Sequence, residues 1–400
     1  GANQAPVAAT TGGSLDETLA VEQLLGVEIP ARAQAIRVLM TELNRISSHL
    51  IWVATFGMDI GALSMMIYGF REREAVLEFF EKVTGLRMNH NYIRPGGVAA
   101  DLPDGWEDDV EGIADIVRAG LDDYQDLLNG NPIFLDRTQG VGVITPAEAQ
   151  QYGVTGPIAR AAGVNFDLRK AFPYSGIEQY EFDVPLGKHG DVFDRYLVRM
   201  EEVRQSLRIV EQVMETMPAG DYRTDDRKVT PPPRKRIDES MEALIHHFKI
   251  FTEGFKVPEG EVYVGIESPR GEIGCYIVSD GSANPYRMHM RDPSFVNIQC
   301  LPHMMRGGLV AALDRLHRRV GSGIEAQGQG GQEQDRRFGG GRRGRGGGQG
   351  QPGKAQVRPT GTAVLQKDAG FPDVAQALLR VAHQAALDQP AQERLVVHGE

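Results

Sequence analysis

Cysteine is scarce in this sequence, whose 400 residues include only Cys275 and Cys300. Two isolated cysteines cannot build a scaffold of several disulfides, and they form no Cys-x-x-Cys pair. An iron–sulfur cluster needs several cysteine thiolates, so we do not expect this chain to hold such a cluster or a nickel centre. The cysteine content therefore predicts no bound metal, and it indicates a reducing compartment.

The common nucleotide and zinc motifs are also missing. No Gly-x-Gly-x-x-Gly follows a predicted strand, and neither a Walker A loop nor His-Glu-x-x-His occurs. The first residues, GANQAPVAATTGGS, lack the basic and apolar regions of a secretory signal. The least charged long stretch, 46–70, is interrupted by Asp59 and by glycines. We expect two buried helical segments there, with a turn between them, rather than a membrane span.

Glycine and charge divide the chain into two kinds of polypeptide. Residues 321–350 hold 13 of the 48 glycines. Residues 1–310 carry 30 Lys and Arg against 45 Asp and Glu, a net charge of −15, whereas residues 311–400 carry 13 against 9. The predicted organisation is a disordered segment at 1–20, a folded domain at 21–310, and a low-complexity tail at 311–400 with a Gly/Arg-rich linker near 321–362 and a short helix at 371–388.

The tail raises an alternative function. Arg342, Arg343 and Arg345 lie among glycines and resemble an RGG box, which binds RNA flexibly in other proteins. Phe338 is the one aromatic residue of the tract, so the tract offers little for bases to stack on. A linker is the favoured interpretation and no nucleic-acid partner is expected. A non-catalytic scaffold or RNA-associating protein stays the alternative.

Hydrophobic spacing predicts a mainly helical domain. A first helix at 31–56, stopped by Gly57, would place one apolar stripe inward: Ile36, Leu39, Met40, Leu43, Ile46 and Leu50. Further helices are predicted at 70–84 (ended by Gly85), 104–129, 191–217 and 238–251. Alternating residues predict a hairpin of 261–268 and 272–279, with short strands at 287–290 and 295–298. The fold class is therefore mainly α with a small appended antiparallel β region (α+β).

Two parts of the sequence carry candidate functional residues. Asp59 lies between apolar segments, where a carboxylate needs a partner or an altered pKa; the alternative is a helix N-cap. The stretch 85–101 places Arg87, His90 and Arg94 beside a Pro-Gly-Gly turn, a composition that often lines a site. A tightly packed structural loop is the alternative there.

Long motifs in this body resemble the D subunit of NADH-quinone oxidoreductase, which is the quinone-site subunit of respiratory complex I. The resemblance covers about residues 20–310 and includes the segments RVLMTELNRISSHL, GMDIGAL, YGFREREAVLEFFEKVTGLRMNHNYIRPGGVAADLP and VPEGEVYVGIESPRGEIGCYIVSDGSANPYRMHMRDPSF. This family is related to the large subunit of nickel–iron hydrogenases and shares its mainly helical fold. A subunit of a related membrane-bound hydrogenase or dehydrogenase is the alternative within the oxidoreductases.

The resemblance implies a function for the assembled complex rather than for this chain alone. Electrons pass from NADH through FMN and iron–sulfur centres on partner subunits to quinone, coupled to proton translocation. The chain would pack against the subunit that carries the terminal iron–sulfur cluster and form part of the quinone cavity. It would bind no cofactor itself, with quinone as substrate. It would be peripheral, on the cytoplasmic side of the inner membrane, and attached through its partners.

The resemblance also assigns individual residues. It gives Asp59 the catalytic role of the aspartate that pairs with the quinone-site histidine, and it gives a supporting role in the cavity or at the interface to Arg87, His90, Arg94, Gly96 and Gly97. Two departures accompany this assignment. The family's His-Pro-Ser-Thr-His-Gly segment does not occur, and the Gly/Arg-rich tail stands where an apolar helix would follow LPHMMRGGLVA. We therefore expect a truncated or frame-shifted form.

Overall fold

The computed structural model describes residues 13–306, which form helices and two small antiparallel sheets. The helices are α1 (Gly13–Leu25), α2 (Ala31–Ile60), α3 (Ser64–Thr84), α4 (Trp106–Leu128), α5 (Pro132–Thr138), α6 (Pro146–Gln151), α7 (Pro157–Ala161), α8 (Leu168–Ala171), α9 (Val192–Thr216), α10 (Arg234–Glu239), α11 (Met241–Thr252), α12 (Pro293–Ile298) and α13 (Leu301–Met304), with a 3₁₀ helix at Ile177–Gln179. The strands are β1 (Ile93–Arg94), β2 (Gly97–Val98), β3 (Gly260–Ser268), β4 (Gly271–Ser279) and β5 (Arg287–Arg291). This confirms the mainly helical α+β fold class.

Helix α2 is the central element of the fold. The six apolar residues predicted to face inward are all buried, and other faces of the helix are buried as well. The reason is that α3 packs on one side of α2 and α9 on another. A helix surrounded in this way must match polar residues on its buried faces with partners, because water cannot reach them.

The C-terminal end of α2 differs from the prediction. The helix continues through Gly57 to Ile60 and ends at Gly61, whose φ of 103° lies in the left-handed region. Gly57 is required by packing rather than by a helix stop, since a Cβ there would lie 2.5 Å from the Met65 Cβ of α3. Arg137 of α5 donates a hydrogen bond to the Ile60 carbonyl, so a cation stabilises the end of the helix.

Helices α3 and α9 run antiparallel to α2 on its two sides. The turn at residues 61–63 returns the chain onto α2, and Gly69 of α3 packs closely against Ala54 and Leu50. Gly85, with φ 81°, ends α3 as predicted. Along α9, Tyr196 lies near Phe56 and Glu202 binds His49, so residue numbers rise on one helix as they fall on the other.

The second sheet has the predicted hairpin and one correction. Strands β3 and β4 pair from Gly260–Ser279 to Ser268–Gly271, and β5 adds a third antiparallel strand. The stretch predicted as a strand at 295–298 belongs instead to α12. The Asp292 side chain accepts a hydrogen bond from the Ser294 N–H and caps this helix, and Pro293 occupies its first turn.

The expected disordered segment at 1–20 also needs correction, because residues 13–20 belong to α1. This helix packs on β3 and β4, where Ala20 is buried with Val262 and Cys275. The predictions made for residues 1–12 and for the tail, including the linker near 321–362, the helix at 371–388 and the RGG-like tract, lie outside the described residues. Within residues 13–306, no helix has the length and apolarity that a membrane crossing requires.

Two glycine substitutions test the close contact of α2 with α3. Gly69→Ala should lower the free energy of unfolding by about 1–3 kcal/mol, because its Cβ would lie 2.8 Å from the Ala54 Cβ and 2.9 Å from the Leu50 oxygen. Gly112→Ala, in the exposed middle of α4 with open space around it, should raise the free energy by about 0.5–1 kcal/mol. Urea denaturation of the full chain measures both, and shifts in the same direction would contradict the packing.

Candidate functional site

Asp59 is the last residue but one of α2 and is half-buried. It is therefore not the N-cap that the sequence left as an alternative. Trp52, Phe56 and Asp59 follow the spacing of one helix face, the face that packs toward α9. The last carbonyl groups of a helix carry a partial negative charge, so a carboxylate at this position is stabilised by a cationic or proton-bearing partner.

The Gly96-Gly97 turn is built around a buried ion pair. The Arg37 and Glu22 side chains are both buried, with 2.6 Å between Nη2 and Oε1. The Gly96 N–H donates to Glu22 at 2.7 Å, and Arg37 donates to the carbonyl oxygen of Gly97 at 3.0 Å. Both glycines have left-handed φ values, and a Cβ on Gly97 would lie 2.4 Å from the Tyr222 oxygen. These contacts give the turn a structural role.

The polar side chains of the same loop are more accessible. Arg87 is exposed and pairs with Glu74 at 2.5 Å, an arrangement that contributes little to stability in water. Arg94 is exposed, and its Nε donates to the backbone oxygen of Asn91 at 3.1 Å. His90 is half-buried, with its ring edge against Phe80, and burial lowers the pKa of its imidazole.

The structure does not bring Asp59 and the loop together. Arg37, which binds the Gly97 carbonyl, precedes Asp59 by 22 residues on the same helix. At 1.5 Å per residue this separation is about 33 Å along the axis of α2. Asp59 therefore lies at one end of α2, and the loop lies near the other end.

Between these ends lies a buried ionic network that was not predicted from the sequence. Its centre is Arg160 of α7, which is fully buried. Arg160 donates to Glu202 of α9 at 2.8 Å and to Glu267 of β3 at 2.8 Å, and it lies 3.5 Å from Asp167. Burial alone would lower the pKa of Arg160, but these carboxylates hold it above its ordinary value. The guanidinium thus stays charged and joins three parts of the chain.

A second arginine extends the network to α2. Arg169 of α8 pairs with Asp167 at 2.8 Å and with Glu42 at 3.2 Å. Arg45 pairs with Glu42 at 3.2 Å, and Ser206 of α9 donates to the same carboxylate at 2.7 Å. Burial opposes ionisation of Glu42, yet the two guanidiniums hold its pKa below the ordinary value. The network therefore connects α2, α7, α8, α9 and β3.

His49 is the imidazole of this network. Its Nε2 lies 2.8 Å from Oε2 of Glu202, and both side chains are buried. Burial lowers the pKa of His49. Burial also opposes ionisation of Glu202, but Arg160 outweighs it and the pKa of Glu202 falls to about 2. At neutral pH the pair is therefore a neutral imidazole that donates its Nε2 proton to a carboxylate.

A pattern in the sequence could have indicated part of this network. Glu42, Arg45 and His49 follow i, i+3, i+7 spacing on α2, interleaved with the apolar residues of its buried stripe. Charged residues on a face that neighbours bury need partners, so this spacing is a signal of internal ion pairs. Arg160 of α7, Arg169 of α8 and Glu267 of β3 stand in sequence contexts that gave no comparable sign of buried ion pairs. Among residues 13–306, no three His, Cys, Asp or Glu side chains are grouped so that they could hold a metal ion.

Comparison with known proteins identifies first the class to which this chain belongs and then its family. A family model described as "Respiratory-chain NADH dehydrogenase, 49 Kd subunit" matches residues 59–316, a range that begins at Asp59 and includes Arg160, Glu202 and Glu267. The helical fold and this match define a subunit of a respiratory-chain oxidoreductase.

Curated relatives agree with this class. The second of the NADH-quinone oxidoreductase D subunits of Roseiflexus sp. (strain RS-1) is 53% identical over 308 residues, 76% of this chain and 74% of the relative. The corresponding protein of Chloroflexus aurantiacus is 54% identical over 76% of this chain and 75% of its own length. The NADH-quinone oxidoreductase D subunit of Geobacter sulfurreducens is 49% identical over 76% and 78%. The chain belongs to the 49 kDa subunit family of respiratory-chain NADH dehydrogenase, the family of the D subunits of NADH-quinone oxidoreductases.

Removal of one network charge tests the importance of the buried ion pairs. Glu202→Gln should lower the free energy of unfolding by about 3–5 kcal/mol, because Arg160 loses a buried partner and His49 loses its ionised acceptor. Glu201, the preceding residue, is partly exposed, and Glu201→Gln should change the free energy of unfolding by no more than about 0.5 kcal/mol. Urea denaturation at neutral pH measures the difference, and equal effects of the two variants would contradict the network.

The lowered pKa of His49 leads to a separate prediction about how the free energy of unfolding depends on pH. Because its pKa is lowered in the folded protein, the unfolded chain takes up a proton at higher pH than the folded one. The stability due to neutral His49 is present above its ordinary pKa of about 6.5 and is lost as the pH falls below it. His49→Gln should therefore flatten the decline in unfolding free energy between about pH 7 and 5, whereas His289→Gln, on exposed β5, should not. An unchanged slope in His49→Gln would rule out this role.

Proposed function

We propose that this chain is the quinone-cavity subunit of an NADH-quinone oxidoreductase. In the assembled complex, electrons pass from NADH through FMN and iron–sulfur centres on partner subunits to quinone, coupled to proton translocation. The observation that carries the proposal is the family match, which starts at Asp59 and covers the core around it. The chain contributes walls of the quinone cavity and contacts with the subunit that holds the terminal iron–sulfur cluster.

Asp59 is the residue to which we assign the chemistry. Reduction of quinone to quinol takes up two electrons and two protons, so a proton donor must stand near the headgroup. A carboxylate beside an imidazole orients the ring and favours its protonated form, which can then give up a proton. The half-buried position of Asp59 at the negative end of α2 supports this role, because a cationic imidazole is favoured there.

The loop at the other end of α2 has a different role in this proposal. The hydrogen bonds of Gly96 and Gly97 to Glu22 and Arg37 hold the turn in place. Arg87 and Arg94 are exposed cations and are available to contact a partner subunit. We therefore assign this loop to subunit contact rather than to quinone chemistry, because Asp59 is about 33 Å away along α2.

The location follows from the partners. The chain would be peripheral, on the cytoplasmic side of the inner membrane, and held there by other subunits of the complex. The similarity to D subunits of NADH-quinone oxidoreductases supports this placement.

Substitution of Asp59 tests the proposed chemistry. A general acid contributes about 100-fold or more to a rate, so loss of the carboxylate in Asp59→Asn should lower quinone reductase activity at least about tenfold. The side chain keeps its shape, so assembly should be unchanged. The measurement is NADH:quinone turnover of the purified complex together with its subunit content. Asp126→Asn, on the exposed face of α4, is the matched control and should leave turnover unchanged.

A pH profile separates proton delivery from simple damage. If Asp59 tunes a proton donor, the variant should shift the pH at which turnover is half-maximal as well as lower the maximum. Normal turnover in a fully assembled Asp59→Asn complex would refute the assignment of Asp59.

A further inference from the structure

Asp16 of α1 is a buried carboxyl group without a hydrogen-bond partner. The residue is 0% exposed, and within residues 13–306 no group donates a hydrogen bond to either of its carboxyl oxygens. Buried carboxyl groups are normally paired, because an ionised carboxylate loses its hydration on burial. Glu22 of the same helix follows this rule, since its carboxylate pairs with Arg37. Asp16 departs from it.

The Asp16 carboxyl lies between α1 and the hairpin of β3 and β4. Asp16 precedes Ala20 by one helical turn, so the two residues share a face of α1. Ala20 is buried on that face with Val262 of β3 and Cys275 of β4. The carboxyl is therefore part of the surface by which α1 packs on the sheet, and ionisation places a charge in that surface.

The polar groups of β3 and β5 on this side of the sheet are engaged with each other. The Tyr263 hydroxyl donates a hydrogen bond to Oε1 of Glu272 at 2.6 Å, so its proton is not available to Asp16. Arg291 of β5 lies 3.3 Å from Oε2 of the same Glu272 carboxylate. The charge of Asp16 reaches Tyr263, where it adds to the effect of burial in raising the pKa of the hydroxyl.

The remaining groups around Asp16 do not neutralise it. Burial raises the pKa of the Cys275 thiol to about 12, and the charges of Asp16 and Glu17 add to this effect, so the thiol stays neutral. Glu17 is partly buried, and burial raises the pKa of its carboxyl as well. From β1, which also packs on α1, the exposed Arg94 donates its Nε hydrogen to the Asn91 oxygen.

The position of Asp16 affects its own ionisation in two opposite ways. Burial raises the pKa of its carboxyl to about 7. The backbone N–H groups of Asp16 and Glu17, in the first turns of α1, favour the ionised form, but they offset burial only in part. The carboxyl thus changes its charge near neutral pH while it remains between the helix and the sheet.

We propose that protonation of Asp16 controls how firmly α1 is docked on the β3–β4 hairpin. The helix is held on the sheet while the carboxyl is neutral, and it opens more readily once the carboxyl is ionised. Glu22 of the same helix binds Arg37 and the Gly96 N–H, so opening of α1 would also loosen the Gly96-Gly97 turn. The switch itself involves only α1 and the sheet and does not depend on the function proposed above.

The direction of the pH effect follows from the two states of the helix. In the open helix the pKa of Asp16 returns to its ordinary value of 3.8, so the docked form binds the proton more tightly. Docking is therefore strongest at low pH. The equilibrium constant for opening should rise about tenfold per pH unit between about pH 4 and 7 and level off above pH 7.

Hydrogen exchange of the full chain at several pH values tests this switch. Peptides from α1 are followed by mass spectrometry, and their rates are corrected for the intrinsic pH dependence of exchange. Protection in α1 should fall about 30- to 100-fold between pH 5 and 7 and by no more than about threefold between pH 7 and 8. Helix α4 is the internal reference and should keep its protection. A parallel loss in α4 would show opening of the whole molecule and would overturn the proposal.

Variants assign the effect to one carboxyl group. Asp16→Asn keeps the shape of the side chain but cannot ionise, so protection in α1 should fall by less than about fivefold between pH 5 and 7. Asp108→Asn, exposed in the first turn of α4, is the matched control and should retain the wild-type decline. If Asp16→Asn does not fold, Asp16→Leu replaces it with the same expected result. The proposal fails if α1 of the wild type shows no decline, or if the decline persists without the Asp16 carboxyl.

Discussion

The Arg160 guanidinium and its carboxylates are the interaction on which the rest of the structure depends. Glu202 belongs to the long helix α9 and Glu267 to the hairpin strand β3, so one side chain connects the helical core to the sheet. Each of these groups would be costly to bury alone, and each is tolerated because the others are present. Removal of one partner therefore leaves the remaining charges buried without full compensation, which lowers the free energy of unfolding. This dependence fixes how α7, α9 and β3 pack.

The same principle separates the two groups of buried arginines. Arg160 and Arg169 are surrounded by carboxylates that hold their pKa values up, whereas burial dominates at Arg195 and Arg199 and lowers theirs. All four lie within one core, so burial alone does not explain the difference. The difference is direct contact: carboxylates form ion pairs with Arg160 and Arg169, whereas Glu202, Asp191 and Asp194 act on Arg199 and Arg195 only through their charge. Among the described residues, the buried ion pairs are therefore concentrated around α7 and α8, and the two arginines near the start of α9 take no part in them.

The sequence predicted the local features and missed those that join distant segments. The stripe from Ile36 to Leu50, the end of α3 at Gly85 and the β3–β4 hairpin each depend on neighbours in sequence, and all three are confirmed. The strand predicted at 295–298 was wrong because a capped helix competes with a short strand. The ionic network joins residues 42–267 across five elements, so the spacing of Glu42, Arg45 and His49 on α2 indicates only part of it, and the partners on the other elements are fixed by the tertiary fold. Asp59 was singled out by its position between apolar segments, but that context also fitted an N-cap, and only the family resemblance gave it a catalytic role.

The geometry of the α2 terminus supports the proposed pairing of Asp59 with a cationic group. Gly61 in the left-handed region and the close approach of Gly57 to Met65 make the turn into α3 tight, and this fixes the last turn of α2. Arg137 neutralises one terminal carbonyl, but the helix end stays negative beside the Asp59 carboxylate. Two negative groups at one place favour a protonated imidazole more than either group alone. In the proposed role of Asp59, the backbone at the end of α2 would therefore act on a proton-bearing partner together with the carboxylate.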